Sequence, residues 1–500
     1  MRVPPGGLEN LDSYGDSRAC SLFERASALA FAPLPLCCIL LLRTGATCFC
    51  RLRKLNEIVE KPRSKKNCKN HKYDVNHLYP LQTVCVVDAT MGIPYFVASI
   101  ARTKRGLIQP VRGTITTDVL LIDLNCFLHR YLDDSNPYPS IVKAIADLEE
   151  LVRAKTVVAC LDGMAPYAKQ VQQRFRRMRK TEPAVFDRHQ LSPETPWMRG
   201  LLEHLPKSWI VSGTDEPGEG EHKIFKWLRA NPTKEGIIYG LDADLVLLAL
   251  ANMKLCHIKL LREKNEFQNI LSKEAEWGIL DVPELARNLP IPVPQFIEIA
   301  VTCWGNDFLP PLAMFSLRED GYARALHFKG PCKEAAAAEA GFLAKRIVQR
   351  ARPDEQCMLG NLEERMAIQL FDGVRDWKPV VEAFWKTVAW TLHYFKTNEI
   401  LDWTWYYPYP EAPTVATLLK YPRPRFTWEL KPPSFHVGNQ LQFILPQRAL
   451  RAARRRVVFP DEIYDEEKDM RVPWMRRYNW EARPRISLPW PTSETEVVPL

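Results

Sequence analysis

The sequence predicts an open α/β sheet of mainly parallel strands with flanking helices, followed by a mainly α-helical second domain. Val119-Leu120-Leu121-Ile122, Thr156–Leu161 and Gly236–Leu241 are short, continuous apolar runs. Strands buried on both faces have that texture. Each run ends at an acidic residue and passes into a helical pattern, and strand followed by helix, repeated, is the signature of an open α/β sheet. In such sheets ligands bind beyond the carboxyl ends of the strands. An acid placed there carries more weight than an acid on the surface.

The elements follow in order along the chain. Residues 1–90 show no sustained period and include a basic polar stretch, Lys61–Lys72. They read as a poorly structured extension. The apolar run Ala26–Leu42 falls short of the ~20 residues that span a bilayer, and Pro33 and Pro35 interrupt it. No clear basic segment precedes it, so a signal peptide or anchor is the lesser reading and a membrane is not expected as a partner. The sheet region is expected over 91–315. Beyond Ser316 the spacing turns helical at Glu334–Gln349 and Leu362–Phe371, and Pro379–Phe395 is rich in aromatics. That gives a helical second domain over 316–490, irregular and proline-rich from Trp403, and a tail at 491–500. No internal repeat is visible.

Composition narrows the class only gently. A net charge of +9 over 500 residues is mild, compatible with a polyanionic partner without requiring one. The 13 cysteines are scattered, odd in number and never at zinc-site spacing. Free thiols in a reducing compartment, cytoplasmic or nuclear, follow most simply. Clusters such as Arg451–Arg456 read as RNA-facing or solvated surface before they read as nuclear signals.

Seven carboxylates stand out. Asp123 and Asp162 each follow an apolar run. Glu219 and Glu221 lie in Pro217-Gly218-Glu219-Gly220-Glu221-His222-Lys223, a turn feeding a helix. Asp242 and Asp244 lie in Gly240-Leu241-Asp242-Ala243-Asp244-Leu245, and Asp307 in Gly305-Asn306-Asp307-Phe308. If the seven converge in a dry site, they cannot all stay ionised without a counter-charge. Hard divalent cations such as Mg²⁺ or Mn²⁺ meet that demand with oxygen ligands. Two ions ~4 Å apart would activate a water and stabilise a leaving oxygen at a phosphodiester. Each acid also has an ordinary reading: Asp123, Asp162 or Asp244 as a helix N-cap, Glu219 and Glu221 as complements to a helix dipole. Recurrence at successive strand ends favours the metal.

A basic helix follows the second acid. In Lys169–Lys180, the residues Lys169, Gln173, Arg176 and Arg177 fall on one helical face. Such a face can hold a terminal phosphate, because guanidinium groups bind phosphate oxygens bidentately. It can equally be a solvated helix or a general backbone-binding surface.

At these residues the sequence resembles the XRN family of 5′→3′ exoribonucleases. Met91-Gly92-Ile93-Pro94-Tyr95-Phe96 resembles the family's amino terminus. Ile122-Asp123-Leu124-Asn125, with His129 following, resembles its first acidic motif, and Leu161-Asp162-Gly163-Met164-Ala165-Pro166-Tyr167-Ala168-Lys169 through Arg177 its second. Pro217–Lys223, Leu241–Leu245 and Gly305–Phe308 continue the set in order, and Trp403-Thr404-Trp405-Tyr406-Tyr407-Pro408-Tyr409 resembles its aromatic motif. The likeness runs from Met91 to about Trp490. It implies a PIN/FEN-like nuclease core and a second domain. The seven acids would hold a pair of Mg²⁺ or Mn²⁺ ions, and Lys169, Gln173, Arg176 and Arg177 a 5′-monophosphate. His129 would stack on the first base, with Trp403 or Trp405 on its other side. The implied substrate is single-stranded RNA with a 5′-monophosphate, degraded to nucleoside 5′-monophosphates with no small-molecule cofactor. On their own, His129 and both tryptophans would read as packed core residues.

The sequence departs from the family in three ways. The family normally begins at the position of Met91; Pro410 stands where a histidine usually follows Tyr-Pro-Tyr; and long accessory domains and a zinc knuckle are not seen. Two rival classes remain. A flap-type 5′ nuclease on DNA shares an acidic sheet but usually carries a helix-hairpin-helix segment, which is not seen here. A catalytically inactive RNA-binding scaffold would not need all seven acids.

Overall fold

The computed structural model describes residues 93, 96–103, 106–132, 135–177, 186–240, 242–263, 276–317, 321–350, 376–409 and 411–452. Every described residue lies in one unit of the chain, Val84–Leu500. The expected extension 1–90 with its run Ala26–Leu42, the expected helix Leu362–Phe371 and the tail 491–500 lie outside the described residues.

Seven strands form one sheet: β1 (Ile108–Pro110), β2 (Ile115–Asp123), β3 (Val152–Cys160), β4 (Ile210–Ser212), β5 (Glu235–Tyr239), β6 (His257–Glu263) and β7 (Trp277–Asp281). Their order is β1-β7-β6-β5-β2-β3-β4. The run from β4 through β6 is parallel, and β7 and β1 are added antiparallel at one edge. All three expected runs are strands. β3 reaches back to Val152 because its first half alternates, with Arg153 exposed and Val152 buried, so only its far end looks continuously apolar. β5 stops at Tyr239, and Leu241 lies outside the described residues.

The chain builds β2, β3 and β4 outward on one side, then crosses back to place β5 on the other flank of β2. The order therefore reverses between β2 and β5, the place where open α/β sheets bind ligands.

Before residue 316 the helices are α1 (Phe96–Thr103), α2 (Leu124–Leu128), α3 (Tyr138–Leu151), α4 (Tyr167–Arg177), α5 (Pro196–His204), α6 (Gly220–Ala230), α7 (Leu245–Asn252), α8 (Val282–Arg287) and α9 (Val293–Ile299). Beyond it come α10 (Gly321–Leu326), α11 (Lys333–Arg350), α12 (Lys378–Thr397), α13 (Val415–Lys420), α14 (Val437–Ile444) and α15 (Gln447–Ala452). Among the described residues of this second stretch, the only β pairing is one bridge, Asp402 to Lys431. The sequence starts and stops these helices locally. Thr195 Oγ1 accepts from the Met198 amide at the head of α5, and Asp281 does the same for Glu284 at α8. Pro379 suits the first turn of α12, and Asn398 ends it in the left-handed conformation.

Both faces of the sheet are covered, as the strand pattern requires. Val119, Leu121, Val158 and Ile238 face a core shared with α6, α7, α8, α9 and α12. Leu120, Ile122, Ala159 and Tyr239 face a second core shared with α2, α3 and α5. α7 is buried from Leu245 to Leu250, so it is apolar all round rather than amphipathic. Truncating one such core leucine to alanine costs about 2–5 kcal/mol.

Candidate metal centre and phosphate-binding helix

The strand ends deliver the acids. Asp123 is the last residue of β2 and also the N-cap of α2. Its side chain accepts from the Cys126 amide at 3.3 Å and from the Cys126 thiol at 2.9 Å. Asp162 lies just beyond β3. Its amide donates to Asn125 Oδ1 at 3.0 Å, and its Oδ1 accepts from the Gly220 amide at 2.8 Å. A Cβ on Gly220 would stand 2.9 Å from the Cys160 carbonyl oxygen and 3.3 Å from Asp123 Oδ1. Glycine there lets the head of α6 come down onto both strand ends, with Glu219 at the N-cap and Glu221 in the first turn. Neither Glu219 nor Asp244, the N-cap of α7, uses its side chain as a cap. The ordinary capping role is thus real for Asp123 and not taken up by Asp244. Asp307 arrives on a different device, the π-helical turn Ala300–Trp304 followed by Gly305 at φ 75°. π-turns of this kind occur often at functional sites.

Glu221, Asp242 and Asp244 each offer one oxygen within 4.8 Å of the others, and all three residues are buried. Glu221 Oε2, Asp242 Oδ1 and Asp244 Oδ1 have no hydrogen-bond partner. Burial pushes the Glu221 carboxyl well above its usual value, reinforced by Asp244 and Asp242, and it does the same to Asp244, reinforced by Asp307. Burial lifts Asp242 to about 6 against the pull of Lys169. It lifts Asp123 to about 7 with help from Asp162 and Asp242. Glu219 is raised by burial and restrained by Lys169. The structure thus brings three acids within reach of one ion, and the other four act on them electrostatically. Buried, partnerless carboxyl oxygens around one point are the donor set a hard divalent cation takes.

Lys169 stands among the acids. Its Nζ lies 2.6 Å from Glu219 Oε2 and 2.6 Å from Asp307 Oδ2. Burial alone would lower its ammonium. Asp307 and Glu219 outweigh that and hold it well above the usual lysine value. The rest of the expected basic face lies along α4, whose described part ends at Arg177. Gln173 is buried with Oε1 unpartnered. Arg177 donates to Ser192 Oγ. Burial, helped by neighbouring Arg176, lowers its guanidinium to about 10. His129, at the end of α2, is pulled down to about 3 by burial, then by Arg176, Arg188 and Arg177. It is therefore a neutral ring beside a basic cluster. Arg188 was not singled out from the sequence; it comes in on a short 3₁₀ turn that no periodicity marks.

The two tryptophans separate. Trp405 donates its indole N–H to Thr387 Oγ1 at 3.1 Å and carries Lys386 Nζ 4.0 Å above its ring. Trp403 packs edge-on to Phe435, and its carbonyl accepts from the Tyr167 amide at the head of α4. Tyr394, on α12, was also missed: its hydroxyl donates to Glu219 Oε1 at 3.1 Å. It falls in the aromatic stretch Pro379–Phe395, but nothing in the sequence distinguishes it from its aromatic neighbours. No described helix is long and apolar enough to cross a membrane.

The family model described as "XRN 5'-3' exonuclease N-terminus" matches residues 91–200 and 179–264. The 5'-3' exoribonuclease 1 of Saccharomyces cerevisiae is 29% identical over 310 residues, covering 46% of this chain and 20% of that protein. Its human counterpart is 29% identical, covering 46% and 18%. The 5'-3' exoribonuclease 2 of Kluyveromyces lactis is 27% identical, covering 46% and 35%. The chain thus spans about a fifth to a third of the curated relatives it matches. Flap endonuclease-1 from Methanococcus jannaschii aligns at 13% identity and a TM-score of 0.25, covering 58% of this chain and 96% of that one. At that score the alignment adds nothing to the fold, which rests on the sheet itself. Residues 91–264 are thus similar to the amino-terminal region of XRN 5′-3′ exonucleases, over the same stretch that carries most of the acidic motifs and most of the sheet.

Proposed function

We propose that this protein is a divalent-metal-dependent 5′→3′ exoribonuclease that degrades single-stranded RNA bearing a 5′-monophosphate and releases nucleoside 5′-monophosphates. The observation that carries the reading is the buried trio Glu221, Asp242 and Asp244: each offers a carboxylate oxygen within 4.8 Å of the others, and each has an oxygen without a hydrogen-bond partner. The proposal assigns the chemistry to 91–315 and a supporting role to 316–490, in an intracellular protein.

Asp123, Asp162, Glu219, Glu221, Asp242, Asp244 and Asp307 would hold two Mg²⁺ or Mn²⁺ ions. When bound, such ions activate water and neutralise charge at a phosphodiester. Lys169 keeps Glu219 and Asp307 from repelling one another. With Gln173, Arg176 and Arg177 it belongs to the pocket for the 5′-phosphate, where the guanidinium forks match phosphate oxygens. His129, neutral at working pH, stacks on the first base without reading its identity. Trp403 is the better partner for it than Trp405, because Trp403 borders α4 and Trp405 is occupied by Lys386 and Thr387.

The test is decay of a 5′-monophosphorylated single-stranded RNA, labelled at its 5′ end, with Mg²⁺ and then with EDTA. Labelled mononucleotide released only with metal supports the proposal. Longer labelled fragments point to flap-like cleavage. Binding without cleavage makes the protein a scaffold.

A further inference from the structure

Glu219 is held at both oxygens. Lys169 Nζ, from α4, lies 2.6 Å from Oε2, and the Tyr394 hydroxyl, from α12, donates to Oε1 at 3.1 Å. The tyrosine is itself fixed. It is 1% exposed, and its ring lies face to face with His222 at 3.5 Å and 1°. His222 is in the first turn of α6, next to Glu221, and its Nδ1 lies 3.2 Å from Asn398 Nδ2. Asn398 is the left-handed cap of α12, and its amide donates to the Tyr394 carbonyl at 2.8 Å. Trp390 and Phe308 close the remaining sides of the ring at 5.3 and 6.0 Å. The phenol hydroxyl is the donor of this bond and the carboxylate oxygen its acceptor.

We infer that Tyr394 is a positioning residue for Glu219: its hydroxyl fixes the carboxylate in the orientation that meets a divalent ion, so the helical region beyond 316 takes part in ion binding. This rests on the metal reading proposed above. Hydrogen-bond partners of ligating carboxylates commonly set metal affinity, and losing one costs about 10–100-fold. The plain alternative is a buried tyrosine that satisfies its hydroxyl on the nearest acceptor, with no bearing on the ion.

The test uses the full chain without RNA, with Mn²⁺ binding followed by electron paramagnetic resonance of the free ion. Four proteins are compared: wild type, Tyr394→Phe, Glu219→Gln and the double variant. Phenylalanine keeps the ring, and with it the stacking on His222 and the packing against Trp390, so the fold stays intact and melting should drop only by the loss of one hydrogen bond. The expected result is that Tyr394→Phe weakens Mn²⁺ binding about tenfold or more, and that the same change adds nothing in the Glu219→Gln background. In turnover, half-saturation by Mg²⁺ rises while KM for RNA stays put. Unchanged Mn²⁺ affinity in Tyr394→Phe overturns the inference, and so does an equal loss in both backgrounds, which would make the effect one of packing. Wild type that binds no Mn²⁺ sinks the metal reading itself, and the inference with it.

Discussion

Replacing Asp242 by asparagine should make the metal-free protein more stable and slow the proposed RNA hydrolysis. The Asp242 carboxyl sits at about 6 in the fold against its usual 3.8, chiefly because it is buried. Between those values the unfolded chain has lost the proton and the folded chain keeps it. The fold binds more protons there, so its stability falls as pH rises through that window and is flat above it. The gap amounts to roughly 3 kcal/mol at ~1.36 kcal/mol per pH unit. Asparagine keeps the shape and carries no charge to bury. In EDTA near neutral pH, Asp242→Asn should therefore melt above wild type, and the difference should close toward the acid end of the window. Mg²⁺ reverses the ranking, because it stabilises wild type by binding the folded state and finds an incomplete site in the variant. RNA hydrolysis should fall by about 10²–10³, the usual loss when one preorganised charge-stabilising group is removed. Calorimetry across pH, with and without Mg²⁺, measures the stability, and release of labelled mononucleotide measures the rate. A variant that melts below wild type in EDTA at neutral pH, or that gains as much from Mg²⁺ as wild type does, refutes the reasoning.

Glu339 offers a second linkage away from the acids: burial lifts its carboxyl to about 7 from the usual 4.5, with one oxygen accepting from the Val415 amide. Stability should decline as pH rises between those values, and Glu339→Gln should remove the slope and add about 3 kcal/mol above neutrality, read from pH-dependent melts. Arg177→Ala should reduce the preference for 5′-phosphorylated over 5′-hydroxyl RNA by about 10–100-fold in kcat/KM, the worth of a charged hydrogen bond. Equal loss on both substrates would mean that Arg177 does not contact the phosphate. Trp403→Ala should weaken RNA binding with little change in melting, whereas Trp405→Ala should lower the melting temperature and spare RNA binding; titration with a short labelled RNA tells them apart.

The parallel heart of the sheet was legible because its strands are buried on both faces, which leaves continuous apolar runs at β2, β3 and β5. The other four strands were not. β1 and β4 are three residues each, and β6 and β7 lack a continuous run. The acids were legible because glycines and turns flag them locally, and the basic helix because its face repeats at helical spacing. Sequence spacing groups Lys169 with Gln173, Arg176 and Arg177, and the fold also seats its ammonium between Glu219 and Asp307. That placement depends on two loops remote from α4 and has no local signature. Tyr394 and Arg188 were missed for the same reason: their partners are set by tertiary packing, not by periodicity.

The hydrogen bond between Tyr394 and Glu219 joins residues 175 positions apart. A ribosome making this protein has released every strand of the sheet before the tyrosine has been added. Long-range closures of this kind are slow and come late in folding. A nascent or prematurely stopped chain can thus display its acids without the last peg that orients them. On the proposed function, RNA hydrolysis would therefore wait until α12 has been made and has docked, well after the acids themselves are in place.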